Sequence, residues 1–188
     1  MKKIFLLLIC ILLMAFTTYK SYVGPVLEIE PQPIKVIPVE VIKEPFELVQ
    51  PSHQQFLTAI GHRESSNNYF AVNEFGYMGK YQFGRATLNG LGINVTKEEF
   101  LNDHKLQERA MYMLLSHNKK KLKRYIKKYD GKIVHGILIT ESGILAAAHL
   151  AGQGNVRKFL RNGFVFEDGN GTKMTSYLKQ FGGYILDL

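Results

Sequence analysis

The sequence predicts a mainly helical α+β domain with one small β-ribbon beside a cleft. Three observations predict it. Apolar residues recur at three- and four-residue spacing between Ser, Thr, Asp and Gly boundaries over most of residues 52–181, the pattern of capped amphipathic helices. One stretch breaks the pattern: from Phe75 to Gly84, Gly76, Gly79 and Gly84 are interleaved with Phe75, Tyr77, Tyr81 and Phe83. That mixture suits a tight ribbon lining a cleft better than a plain helix. All six prolines fall between Pro25 and Pro51, so no proline breaks the chain beyond that point.

The chain divides accordingly. In residues 1–23, Lys2 and Lys3 precede an unbroken apolar run from Ile4 to Phe16. This is an export signal or an uncleaved N-terminal membrane anchor, and the two readings stand side by side. The lysines keep the N-terminus in the cytoplasm, which places the remainder in the periplasm or at the cell surface. Residues 24–51 alternate Pro with Val, Ile, Lys and Glu, as an extended semi-rigid linker does. Residues 52–188 form the folded domain.

Within that domain, Ser52 and Gln55 make a capping box for a helix that ends at Glu64. Arg85 to Leu91 is a short helix stopped by Gly90 and Gly92. Thr96 and Glu99 make a second capping box. Asp103 caps a long helix whose apolar stripe reads Leu106, Ala110, Met113, Leu114, Leu122 and Ile126, and Gly131 ends it. Ile133 to Ile139 is apolar and fits helix or strand. Thr140 caps a helix running to Leu150 and closed by Gly152. Asn155 caps another from Val156 to Arg161, closed by Gly163. Glu167 to Gly171 is a turn cluster, and a last helix spans Thr175 to Phe181.

The formal net charge is +8, and residues 52–188 alone carry 19 basic and 11 acidic side chains. Seven of the ten residues from Lys119 to Lys128 are basic. They read as a solvated helix face, or as a surface that attracts an acidic polymer. The export segment favours cell-wall carboxylates and phosphates over nucleic acid as that polymer. The only cysteine, Cys10, lies in the apolar run, so the domain has no disulfide and no thiol for catalysis or metal binding. No metal-ligand spacing, P-loop or dinucleotide fingerprint is present, and no metal or cofactor is expected.

Glu64 is the main candidate for chemistry. Phe56, Ile60 and Glu64 are spaced i, i+4, i+8 and share one helical face. A lone acid that continues an apolar stripe is unusual. Burial and the negative end of the helix dipole both disfavour its charged form, which suits a general acid. A surface Glu at a fraying helix end fits the same position.

The motif around it resembles that of the soluble lytic transglycosylases and goose-type lysozymes. In that family a catalytic Glu is followed by Ser, a polar residue nine positions on, Gly at twelve and fifteen, and Gln at eighteen. Here Glu64-Ser65 is followed by Asn73, Gly76, Gly79 and Gln82. Gly79-Lys80-Tyr81-Gln82-Phe83 stands where the family often has G-L-M-Q-I, and the stretch is also similar to the resuscitation-promoting factors. Ala147 to Val156 resembles the family's A-A-Y-N-A-G-P-G-x-V, with His149 for Tyr and Leu150 for Asn. Tyr177-Leu178 resembles the Tyr-Val of a third motif, although Lys173-Met174 replaces its Glu-Thr pair.

The resemblance covers about residues 52–181. It implies a lysozyme-like fold, and a monomer that cleaves the β-1,4 bond of peptidoglycan glycan strands without a cofactor. It implies Glu64 as the catalytic acid. Ser65, Asn73 and Gln82 would contact the glycan, and Tyr77, Tyr81, His149 and Tyr177 would shape the wall near the acid. The product would be a 1,6-anhydro sugar. Glu141 begins a helix, where an acid suits the dipole. It shares a face with Leu145 and His149, so a second catalytic carboxylate remains open, and with it a hydrolysing muramidase. A wall-binding module without turnover is the reading from another class.

Overall fold

The computed structural model describes residues 50–188. The expected export signal or anchor and most of the expected proline-rich linker lie outside the described residues. The described chain is mainly helical, with a small two-stranded antiparallel sheet. No described helix is long and apolar enough to cross a membrane.

Helix α1 spans His53–Ser65. Ser52 caps it, with the reciprocal Gln55 bond of the capping box in place. It buries Phe56, Leu57 and Ile60, so Glu64 stands one turn past the last buried apolar residue of that face. Helices α2 (Arg85–Gly90) and α3 (Lys97–Asn102) follow. Thr96 and Glu99 form the second capping box. Helix α4 (His104–Tyr129) is capped by Asp103 and has 26 residues, about 39 Å at 1.5 Å per residue. Its core face runs through Leu106, Ala110, Met111, Leu115, Leu122 and Ile126. Met113 and Leu114 are only partly buried, so the expected stripe was one or two residues out of phase in the middle of the helix.

Strands β1 (Ile133–Val134) and β2 (Ile137–Leu138) pair antiparallel, Ile133 with Leu138 and Val134 with Ile137. His135 and Gly136 between them both take left-handed backbone, φ 48° and 76°, as a tight two-residue hairpin turn requires. The ladder is therefore here, and not at Phe75–Gly84. That stretch holds only single bridges, Val72 to Met78 and Met78 to Phe83. Gly76, Gly79 and Gln82 all have positive φ. A left-handed residue every third position leaves no extended run long enough to make a ladder.

Helix α5 runs Glu141–Asn162 with a break at Gly152, whose φ 74° and ψ 153° are not helical. Gly152 is the corner. Asn155, expected as a cap, lies inside the second half, and its side-chain amide donates to the Ala151 carbonyl at 2.9 Å. Helix α6 spans Met174–Gln180. Helix α5 packs on α4 and on α6, with Ile144, Leu145, Ala146 and Ala147 fully buried. Beyond α6, Phe181 and Tyr184 set their rings edge-on to Phe56. The Ile185 N–H donates to the Pro51 carbonyl at 2.9 Å. The last part of the chain is thus laid against the first helix.

Candidate active site

A cleft of about 950 Å³ runs between the end of α1, the Asn73–Gly84 loop, α4, the corner of α5 and the loop before α6. Glu64 lies in its wall, with its side chain 14% exposed. Helix α1 stops just after it because Ser66 and Asn67 turn left-handed, φ 56° and 61°. Their N–H groups return to the His62 and Gly61 carbonyls, closing the helix end.

One oxygen of Glu64 is tightly held. The Tyr177 hydroxyl donates to Oε1 at 2.5 Å. Burial pushes the Tyr177 hydroxyl well above the ordinary tyrosine range, and the charge and hydrogen bond of Glu64 push it further; Arg63 opposes them. Tyr177 therefore stays a donor. His149 Nε2 stands 3.6 Å from the same Oε1, too far for a hydrogen bond. Its ring is edge-on to Phe83, and its Nδ1 is buried without a partner. The Oε2 oxygen has no hydrogen-bond partner among the described residues.

Asn73, Tyr77, Gln82, His149 and Tyr177 all line the cleft with Glu64. Asn73 Oδ1 accepts from the N–H groups of Phe75 and Tyr77, both at 3.0 Å, and no described residue accepts from its amide nitrogen. Gln82 donates to the Gly79 carbonyl at 2.9 Å, which leaves its oxygen open. Tyr77 and Phe75 are exposed at the rim.

Three expected site residues are placed elsewhere. The Ser65 hydroxyl donates to the Lys80 carbonyl at 2.8 Å and accepts from the Asn68 N–H. It ties the helix end to the loop and does not line the cleft. Tyr81 is fully buried, and its hydroxyl donates to Glu108 Oε2 at 2.6 Å. It faces α4 and does not line the cleft. Glu141 begins α5, pairs with Lys119 Nζ at 2.8 Å and lies outside the cleft lining.

The loop that carries Gln82 is anchored from behind. Glu108 accepts from Lys80 Nζ at 2.7 Å, from Tyr69 at 2.6 Å and from Tyr81. Burial alone would push the Glu108 carboxyl up, but these three donors and the lysine charge outweigh it and hold it below the ordinary range. Gln107 accepts from the Lys80 N–H and donates to the Tyr69 and Phe100 carbonyls. A Cβ at Gly79 would lie 2.2 Å from Gln107 Oε1. Glycine there, at φ 75°, is what lets the loop close onto this amide.

Arg63, Asp168 and Asn118 are among the lining residues that were not anticipated from the sequence. Arg63 stacks over the Tyr177 ring at 4.3 Å and donates to Ser176 Oγ at 2.8 Å and to Gln180. It adjoins Glu64 in sequence, which was its only signal. Asp168 was legible as a turn residue, and its Oδ1 accepts from the N–H groups of Asn170 and Thr172. That this turn borders the cleft was not legible. Asn118 comes from the middle of α4. Among the described residues, no group of three or more His, Cys, Asp or Glu side chains is arranged to hold a metal. Compared with protein-family models, curated proteins and solved structures, the chain matches none.

Proposed function

We propose that the protein is an exported peptidoglycan lytic transglycosylase with a lysozyme-like fold, acting on glycan strands outside the cytoplasmic membrane. One observation carries the reading: of the two acids that line the cleft, Glu64 and Asp168, Glu64 is the one held by a buried donor, with Oε1 gripped by Tyr177 and Oε2 without a partner. The carboxyl delivers its proton from Oε2 to the glycosidic oxygen between N-acetylmuramic acid and N-acetylglucosamine. The C1–O bond breaks and positive charge develops at C1. The carboxylate then takes the proton of the muramoyl 6-hydroxyl, whose oxygen bonds to C1. The products are a new 4-hydroxyl and a 1,6-anhydro end. The acetamido group of the substrate can shield C1, so the route needs no second enzyme carboxylate.

Hydrolysis would ask for a second carboxylate close to the bond. Glu141 is paired outside the cleft, and Asp168 spends Oδ1 on two backbone N–H groups. The placement of Glu141 favours transglycosylation, and Asp168→Asn is expected to keep most turnover if Asp168 only holds its turn. Mass spectrometry of sugars released from purified sacculi tests it. The expected products are 1,6-anhydro sugars, and Glu64→Gln is expected to lower turnover about 10²–10⁴-fold, the usual worth of general acid–base help, while binding survives. Reducing ends would mean a muramidase. Binding without cleavage by the native protein would mean a wall-binding module.

A further inference from the structure

Four polar or charged side chains are buried among the described residues: Lys80, Gln107, Asn118 and Ser142. Three have partners inside the protein. Lys80 pairs with Glu108, Gln107 bonds the backbone of the loop, and Ser142 Oγ accepts from the Tyr184 N–H. Asn118 is the exception. It is 4% exposed and lines the cleft, and no described residue hydrogen-bonds its carboxamide. Neither carboxamide atom is fully buried without a partner, so the amide opens onto the cleft. A ligand that enters the cleft can supply the missing bonds.

The surroundings restrict what that ligand group is. Leu114 lies one turn earlier on the same face of α4, and Leu150 comes from α5; both line the cleft and are partly buried. Gln153, a polar lining residue on α5, is engaged by Arg157 at 2.7 Å. A carboxamide offers both a donor and an acceptor, so its complement is another amide. Apolar walls beside it suit a methyl group. We infer that Asn118 is a specificity-determining residue that binds a secondary amide of the substrate, the acetamido group of an N-acetylated amino sugar, with its methyl against Leu114 and Leu150. The inference rests on the reading of the cleft as a glycan site. The amide of a stem peptide has the same polar pattern, and the test separates the two sources.

The test uses the full chain carrying Glu64→Gln, to prevent turnover, with and without Asn118→Leu. Calorimetric titration with N-acetylglucosamine oligomers, with the same oligomers N-deacetylated, and with free stem peptide reads the selectivity. The parent is expected to bind the acetylated oligomer about tenfold or more tighter than the deacetylated one, as a site with a polar group left unpaired discriminates. Asn118→Leu is expected to reduce that ratio to about twofold or less. The charge that deacetylation adds is common to both proteins and cancels in the comparison. The melting temperature of Asn118→Leu is expected to stay level or rise, because no bond within the protein is lost.

Unchanged acetyl selectivity overturns the inference. So does a sharp fall in melting temperature, which would make the amide a structural group. Selectivity for the stem peptide that Asn118→Leu abolishes would move the amide to that source and overturn the acetamido assignment. If the native chain still releases 1,6-anhydro sugars in any of these cases, only Asn118 is misassigned. If neither oligomer nor sacculus binds, the reading of the cleft falls with it.

Discussion

Tyr177 can grip Glu64 only while it keeps its own proton, and burial ensures that it does. A hydrogen bond to a charged group is worth about 1.5–3 kcal/mol. On the proposed function, Tyr177→Phe is therefore expected to slow sacculus turnover about tenfold to a hundredfold, with the circular dichroism spectrum unchanged; an unchanged rate would separate Tyr177 from the chemistry. Glu108 gives a second test, read in stability. Its carboxyl is lowered in the folded state, so its contribution is present above the unfolded carboxylate value, about 4.3. That contribution is lost as pH falls through the lower folded value. Glu108→Gln leaves the Lys80 ammonium, whose side chain is 7% exposed, without its counter-charge. A loss of about 2–3 kcal/mol at neutral pH is expected by denaturant titration, with a shallower fall in stability below about pH 4. The same carboxylate explains a misreading of the sequence. Tyr81 sits amid glycines and aromatics that face a cleft, but the hydroxyl's partner lies 27 positions away on another helix. Spacing along one segment cannot say which of two faces such a partner selects.

The helices were legible where their signals are local. Ser52, Thr96, Asp103 and Thr140 cap as their sequences imply, because a cap is a bond over three residues. Phase within α4 was less legible, since a 26-residue helix touches different neighbours along its length and each sets its own buried face. The corner of α5 was legible as the glycine that closes its first half, and only the cap of the second half, Asn155, was misplaced. Gly152 takes a φ/ψ pair essentially reserved for glycine, and a residue with a Cβ there costs about 1–3 kcal/mol. A Cβ would meet nothing within 4 Å, so the cost is conformational and not steric. Gly152→Ala is expected to lower the melting temperature by several degrees and to weaken turnover, because the corner turns His149 and Leu150 toward the cleft. A variant of native stability and rate would show that the helix tolerates the bend without glycine.

At the scale of the whole domain, the site joins distant parts of the chain. Glu64 meets Tyr177 across 113 positions, and Arg63 reaches Ser176 and Gln180 across 113 and 117. Spacing around Glu64 made the acid legible. The Tyr177 motif was weak, because what makes it work is a docking of α6 on α1 that no local pattern encodes. Such long-range contacts close late in folding, after the loop entropy between them has been overcome. On the proposed function, activity is expected to return after the far-UV helical signal in a refolding time course that samples both. Simultaneous recovery would mean that α6 docks with the first helices. Delayed recovery would give the domain a built-in timer. On the proposed function, a chain still emerging or half assembled would carry the acid without the grip on it, and would stay chemically idle until the segment around Tyr177 had seated.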